Sequence, residues 1–387
     1  MRILSIFGTR PEAVKMAPVV KALESKPEIE SIVCVTAQHR EMLDQVLELF
    51  QITPDIDLNL MQPNQSLAEL TAAVFQHLDP ILNKLQPDWV LVQGDTTTVM
   101  AASLLSYYHK IRVGHVEAGL RTKDKWQPFP EEINRRIASV IADLHFAPTE
   151  WSHQNLLDEG IPDQNIIVTG NPVIDALNDI SKRPIPAETT ELLRSLGVED
   201  DLHNSDSRVK SRRLIVLTAH RRENFGTPLE NICRAIISLA DHYGSDIQFV
   251  YPVHLNPNVQ EPVYRLLGSV ENITLLPPMD YLPLIHLIKH AALVLTDSGG
   301  IQEEAPGLGV PVLVLRAVTE RPEGVEAGTV RLVGTDQNRI VSETRHLLDN
   351  PEAHAKMATA INPYGDGHAA ERIVQAILDY RAKEMPQ

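Results

Sequence analysis

Apolar residues along the first 150 positions recur with two alternating periods. Short, continuous β-rich runs at residues 2–7, 32–37, 89–93, 112–117 and 144–147 read as buried strands. Between them lie segments with apolar residues three and four apart. One is 40–50, with Met42, Val46 and Leu49 on one face; the others are 11–25, 97–108 and 130–142. Pro11 sits where a first helical turn tolerates it, and Ser66 with Glu69 forms a capping box for a helix running to Leu85. Strand and helix in strict alternation predict a parallel sheet with helices on both faces.

From 181 to 213 the pattern breaks into polar, charged and proline-marked sequence, which places a domain junction near 172–185. The stretch 199–212 within it reads as an exposed, mobile insertion. The alternation then resumes, with strands at 214–218, 247–251, 293–296 and 310–315 and helices at 228–243, 281–290 and 301–308. A last helix at 368–383 follows the turn Asn362-Pro363-Tyr364-Gly365-Asp366-Gly367. The economical architecture is α/β, with two Rossmann-like doubly wound domains facing a cleft. Residues 1–176 form the first and 177–367 the second, with ligands at the carboxyl ends of the strands.

Composition narrows the functional classes. The chain has 387 residues, enough for two domains, and no apolar run of membrane-spanning length. Its first residues read as a strand and not as a signal peptide. The net charge of −16 disfavours nucleic acid and anionic membrane as partners. Two cysteines, each in an apolar segment, argue against a disulfide framework or zinc site and fit a reducing cytoplasm. In a chain this acidic, an anionic substrate needs local cations, so the arginines and lysines beside glycine turns carry most information.

The strand ending Thr296-Asp297-Ser298-Gly299-Gly300 and opening a helix at Ile301 reads two ways. It is either an anion site, built from amides turned outward at a helix start, or a plain strand-to-helix turn. Gly8-Thr9-Arg10-Pro11-Glu12 is a second such turn, where Arg10 and Lys15 suit a phosphate or pyrophosphate. Arg321 offers another cation, and Glu304 an acceptor for ribose hydroxyls. Three carboxylates close neighbouring strands or open helices: Asp95, Glu117 and Glu131. Taken singly, each also fits as a helix cap, a strand end or a dipole partner; together they suit paired acid and base chemistry. His220 and His254 end strands in the second half, where imidazole transfers protons near neutral pH. A dinucleotide fingerprint, a P-loop and a metal-ligand pair at helical spacing are all missing, so no cofactor and no metal are expected. Gly365 to Ala370 matches G-x-G-x-x-A but follows no strand.

In order along the chain, Gly8-Thr9-Arg10-Pro11-Glu12, Gly94-Asp95-Thr96-Thr97, Gly114-His115-Val116-Glu117-Ala118-Gly119-Leu120-Arg121, Pro130-Glu131-Glu132, His220-Arg221-Arg222-Glu223-Asn224 and Asp297-Ser298-Gly299-Gly300-Ile301-Gln302-Glu303-Glu304 resemble the bacterial non-hydrolysing UDP-N-acetylglucosamine 2-epimerases. The resemblance runs nearly end to end and leaves out only the 199–212 insertion. It implies a fold of the GT-B glycosyltransferase type, with the last helix, 368–387, packing back on the first domain. It implies a homodimer that interconverts UDP-GlcNAc and UDP-ManNAc and so supplies mannosamine for surface polysaccharide. Carried over residue by residue, Arg10, Lys15, Ser298, Gly299, Gly300, Glu304 and Arg321 would hold UDP. Asp95, Glu117, Glu131 and His220 would be the catalytic group. Gln38, His39, Glu131 and His254 fit a second, activating UDP-GlcNAc site of some members. Glu41 and Asn64 depart from that pattern, standing where glutamine and arginine are expected, which removes a cation from it.

The hydrogen on sugar carbon 2 has no adjacent carbonyl, so direct removal by a carboxylate is out of reach at neutral pH. Departure of UDP from carbon 1 makes that hydrogen acidic, and a modest base then suffices. Two proton carriers on opposite faces explain several carboxylates on separate loops, and an intermediate that water would destroy implies closure on binding. The rival readings are a hydrolysing epimerase, a GT-B glycosyltransferase using UDP-GlcNAc, and a non-enzymatic UDP-sugar sensor.

Overall fold

Each run read above as a strand forms one, and every strand pairing is parallel. The structure, a computed structural model, describes residues 1–37, 40–62, 65–198 and 212–384. Gln38, His39, Asn64 and nearly all of the 199–212 insertion fall outside the described residues.

The chain divides into two compact units: Met1–Asn178 with Tyr364–Gln387, and Asp179–Pro363. The first begins β1 (Arg2–Phe7), α1 (Arg10–Glu24), β2 (Glu30–Val35), α2 (Arg40–Leu49), β3 (Ile56–Asp57), α3 (Leu67–Leu85), β4 (Trp89–Gln93) and α4 (Thr97–Tyr108). It continues β5 (Arg112–Val116), α5 (Glu131–Ile141), β6 (Leu144–Ala147), α6 (Glu150–Asp158), β7 (Ile166–Val168) and α7 (Pro172–Ile180). Its seven strands lie in the order β3-β2-β1-β4-β5-β6-β7. The second unit runs α8 (Ala187–Ser195), β8 (Arg213–Thr218), α9 (Thr227–Tyr243), β9 (Ile247–Pro252), α10 (Pro257–Leu267), β10 (Ile273–Leu276) and α11 (Tyr281–Lys289). Then come β11 (Ala291–Thr296), α12 (Ile301–Gly307), β12 (Val312–Val314), α13 (Pro322–Glu326), β13 (Val330–Leu332), α14 (Gln337–Asp349) and α15 (Pro351–Ala358). Its sheet order is β10-β9-β8-β11-β12-β13. The chain ends in α16 (Ala369–Glu384), which belongs to the first unit.

Both sheets are buried on both faces, which is why their strands are nearly all apolar: Ile3, Leu4, Ile6 and Phe7 in β1 and Val90, Leu91 and Val92 in β4 are wholly shielded. The capping box expected for α3 is present, with the Ser66 amide donating to Glu69 at 2.8 Å and the Glu69 amide to Ser66 Oγ at 3.2 Å. Helix α16 packs on α1, and Tyr380 meets Trp89 of β4 edge to face at 5.2 Å. In each sheet the strand order reverses once, between β1 and β4 and between β8 and β11. Loops diverge at such a point, leaving a crevice at the carboxyl ends of the strands.

Three local readings change. Helix α4 is capped by Thr96, whose hydroxyl accepts from the Val99 amide at 3.4 Å; the plain reading of Asp95 as the cap therefore fails. Strand β5 stops at Val116, because Glu117 turns into the left-handed region at φ 61°. Strand β12 is shorter than 310–315, since Pro311 has no N–H to give to a ladder.

Candidate active site

In the first unit the reversal point brings together the ends of β1, β4 and β5. The turn after β1 is shaped by Glu12, whose carboxylate accepts the Gly8 amide at 3.0 Å, the Thr9 amide at 2.7 Å and the Thr96 hydroxyl at 2.7 Å. A side chain thus already fills the amide cradle at the start of α1. Burial of Glu12 pushes its pKa up, although these donors pull the other way. Gly8 is required by crowding, as a Cβ there would fall 1.9 Å from Thr36 Oγ1. Anion binding at this turn is therefore left to side chains, of which Arg10 is half-buried and Lys15 buried.

Lys15 makes an ion pair with Glu117. The Glu117 carboxylate also accepts from Gln93 at the end of β4 and, at 2.9 Å, from Asn171 Nδ2. Although it follows the end of a strand, Glu117 is buried, with 6% exposed. The left-handed backbone is what turns its side chain back into the unit. A non-glycine residue held there costs on the order of 1–3 kcal/mol, and such residues cluster at sites where geometry matters more than local comfort.

Asp95 is paired with Arg135 of α5, whose guanidinium also bonds Glu132 and the Leu120 carbonyl, each at 3.3 Å. The two glutamates that open α5 differ. Glu132 is 1% exposed and accepts the Thr122 and Lys123 amides, so it pins the preceding loop. Glu131, the first residue of the helix, is half-buried. Beneath them His115 is fully buried, with Nε2 2.7 Å from the Gly94 carbonyl and Nδ1 without a partner among the described residues. Burial lowers its pKa to about 4, so this ring is neutral and donates to Gly94. It steadies the loop that carries Asp95.

In the second unit the corresponding reversal point joins the ends of β8 and β11. The fully buried Asp297 accepts the His220 amide at 2.9 and 3.1 Å, the Arg221 amide at 2.8 Å and Asn224 Nδ2 at 2.9 Å. One carboxylate thereby folds the loop after β8 against the turn after β11. The His220 ring lies with Nδ1 3.6 Å from Asp297 and stacks on His254, with centroids 5.4 Å apart. Burial lowers the His220 pKa, and the nearby Asp297 charge opposes this; 37% of the side chain still meets solvent, which softens both effects.

The turn Ser298-Gly299-Gly300 leaves the Gly299 and Gly300 amides without acceptors among the described residues, while the Ser298 amide donates to Thr296 Oγ1 at 2.9 Å. Arg321 lies directly over this turn: a Cβ on Gly299 would come 2.6 Å from its Nη1. The guanidinium is gripped by Glu303 and by Glu320, the latter at 2.7 Å, and Arg316 links Glu320 at 2.8 Å to Glu223 at 2.7 Å. Burial alone would raise the Glu320 pKa, but Arg321, Arg316 and Arg221 outweigh it and hold the carboxyl well below its ordinary range. Glu304 is buried and accepts the Tyr281 hydroxyl at 2.9 Å.

Sequence reasoning gave no role to Gln93, Arg135, Asn171, Glu303 or Glu320, and none of its own to Asp297 within the glycine turn. Asp297 carried a signal, being a charge at the end of an apolar strand and two residues before the glycines. Asn171 and Arg135 carried none, because only the fold brings them to their partners. Among the described residues no cluster of three His, Cys, Asp or Glu side chains is placed to hold a metal, and no helix is long and apolar enough to cross a membrane.

A family model described as UDP-N-acetylglucosamine 2-epimerase matches residues 21–378. A UDP-N-acetylglucosamine 2-epimerase of Salmonella typhimurium is 56% identical over 98% of this chain and 99% of its own. The crystal structure of the Neisseria meningitidis UDP-GlcNAc 2-epimerase bound to UDP-GlcNAc is 50% identical, with a TM-score of 0.89 over 98% of this chain and 100% of that one. The Methanocaldococcus jannaschii enzyme in complex with UDP-GlcNAc and UDP is 35% identical, with a TM-score of 0.81 over 98% and 100% of the two chains.

Proposed function

The chain belongs to the UDP-N-acetylglucosamine 2-epimerase family, and on that premise we propose how its residues interconvert UDP-GlcNAc and UDP-ManNAc. The protein is an isomerase. As the bond from carbon 1 to the diphosphate oxygen breaks, its electron pair leaves with UDP and the carbon 2 proton passes to a base. A double bond forms between carbons 1 and 2, giving 2-acetamidoglucal. Re-addition of UDP, with a proton delivered to the opposite face of carbon 2, gives the epimer. The electrons balance without a redox cofactor.

UDP is held by Arg10, Lys15, Ser298, Gly299, Gly300, Glu304 and Arg321. The amides of Gly299 and Gly300 and the Arg321 guanidinium meet charge that grows on the diphosphate as the bond breaks, which is where fixed donors lower a barrier most. Asp95, Glu117, Glu131 and His220 form the catalytic group. The observation that carries this reading is the Glu117 carboxylate, buried on a strained backbone and matched by Lys15, Gln93 and Asn171. Such a group is kept in one place and one orientation, as a proton carrier requires. The cell uses the product as a mannosamine source for surface polysaccharide. The protein works in the cytoplasm, where its two buried thiols stay reduced, and it assembles as a homodimer.

An NMR time course of UDP-GlcNAc with the purified protein in heavy water tests the reaction. UDP-ManNAc carrying deuterium at carbon 2 is expected. Epimer without deuterium would sink the elimination route, free ManNAc with UDP would mark a hydrolysing enzyme, and unchanged substrate would mark a sensor. Light scattering across a dilution series tests the dimer, with a mass near 43.1 kDa at every concentration counting against it.

A further inference from the structure

Asn171 is fixed at three points. Its backbone amide donates to the Tyr364 carbonyl at 2.7 Å, its Oδ1 accepts the Val173 amide at 3.2 Å, and its Nδ2 donates to Glu117 Oε1 at 2.9 Å. Because Oδ1 is committed to the first turn of α7, the amide has one orientation, with its NH2 toward Glu117. The residue is 1% exposed, so solvent does not compete for these bonds. Its position depends on two glycines facing each other. A Cβ on Gly170 would come 3.2 Å from Gly365 Cα, and one on Gly365 would come 3.2 Å from Gly170 Cα and 3.5 Å from the Asn171 nitrogen. Both glycines also have positive φ, 87° and 130°. The turn before α16, for which the reaction itself has no use, is thus the wall against which Asn171 is set.

Gln93 acts on the other oxygen. It is 2% exposed at the end of β4, and its Nε2 donates to Glu117 Oε2. One neutral amide per oxygen fixes the plane of a carboxylate without cancelling its charge, whereas Lys15 supplies charge on a flexible stem.

We propose that Asn171 and Gln93 are positioning residues for the epimerisation, holding the Glu117 carboxylate ionised and at one angle. This rests on the reading of Glu117 as a proton carrier. The two amides set the direction from which Glu117 takes its proton, and the Tyr364–Gly365 turn sets Asn171.

The substitution Asn171→Asp tests it, because aspartate keeps the cap on α7 but turns an oxygen toward Glu117. Expected are a fall in kcat on the order of 100-fold, a KM for UDP-GlcNAc within about threefold of wild type, and an acid limb of the kcat–pH profile moved to higher pH. Gln93→Glu, which keeps the strand end, gives the same signature from the other oxygen and serves if the first variant does not fold. Gly365→Ala moves only the wall and should lower kcat by about tenfold. Unchanged kcat in the two acidic variants, or a fall in kcat with an unmoved acid limb, overturns the inference. Wild-type protein assayed alongside keeps the two claims apart: if it incorporates no deuterium at carbon 2, the reading of the site fails first and this inference with it.

Discussion

The two reversal points are built from the same parts, a parallel sheet, a glycine turn and buried ion pairs, yet they use them in opposite ways. At the ends of β1, β4 and β5 the backbone donors are consumed internally, by Glu12, and the carboxylates are what the surroundings orient. At the ends of β8 and β11 the carboxylates are consumed: Asp297 folds a loop, Glu303 and Glu320 orient a guanidinium, and amides at Gly299 and Gly300 are left. One place keeps acceptors in a chosen direction and the other keeps donors. On the proposed reaction, proton transfer would draw on the first and the departing UDP on the second, so the division of labour would follow from which groups each unit orients.

The sharpest way to break this comparison is Glu117→Gln. Turnover should fall about a thousandfold, roughly 4 kcal/mol, with UDP affinity nearly unchanged by calorimetry. Asp95→Asn and Glu131→Gln should follow the same pattern, and near-normal turnover in any one removes that residue from the catalytic group. Next, Arg321→Met takes the buried guanidinium from Glu303 and leaves Glu320 with Arg316, and should cost about 3 kcal/mol in urea unfolding, partly recovered by adding Glu303→Gln. Lys15→Met should cost less, because Gln93 and Asn171 still serve Glu117; equal losses would mean the amides do not matter.

Acid should act mainly on the first unit. Burial lowers His115 to about 4 and His145 to about 3, so the folded form refuses protons that the unfolded chain accepts near 6.5. Their stabilisation is complete above pH 6.5 and is lost as pH falls through the window between 6.5 and those lower values. Between pH 6.5 and 5, His145→Leu should flatten the fall in stability by about 2 kcal/mol relative to wild type, read from urea midpoints. The smallest effect concerns the anion side: Gly299→Ala pushes Arg321 off the turn and should weaken UDP binding by about tenfold, with kcat changed less.

How much could be read in advance follows the range of the interactions. Strands β4 and β6 and helix α4 form over the residues read from the sequence, since burial on both faces and local capping are written in consecutive positions. The family blocks singled out Glu117 and Asp297-Ser298-Gly299-Gly300 for the same reason, each lying within a few residues of a strand end. What stayed illegible is long-range. Lys15 and Glu117 are 102 positions apart, and Asn171 is 54 from the glutamate it holds. Asp95 read as a cap because cap chemistry is local, whereas Arg135, which claims it, arrives from a different helix. Glu117 read as the last residue of the strand 112–117 because the apolar run assumes extended backbone, and the left-handed φ at that residue ends the strand at Val116.

The first unit is interrupted in sequence, with residues 1–178 made first and 364–384 last. On a ribosome adding about 5–20 residues per second, the gap of 186 positions (364 minus 178) lasts about 10–40 s. For that time the seven-stranded sheet lacks α16 over Trp89, and Asn171 lacks the Tyr364 carbonyl. The second unit, continuous in sequence, is synthesised whole in the interval. The second unit is therefore complete before the first, and a stop codon directly after 363 should yield chains that fold in the second unit and fail in the first.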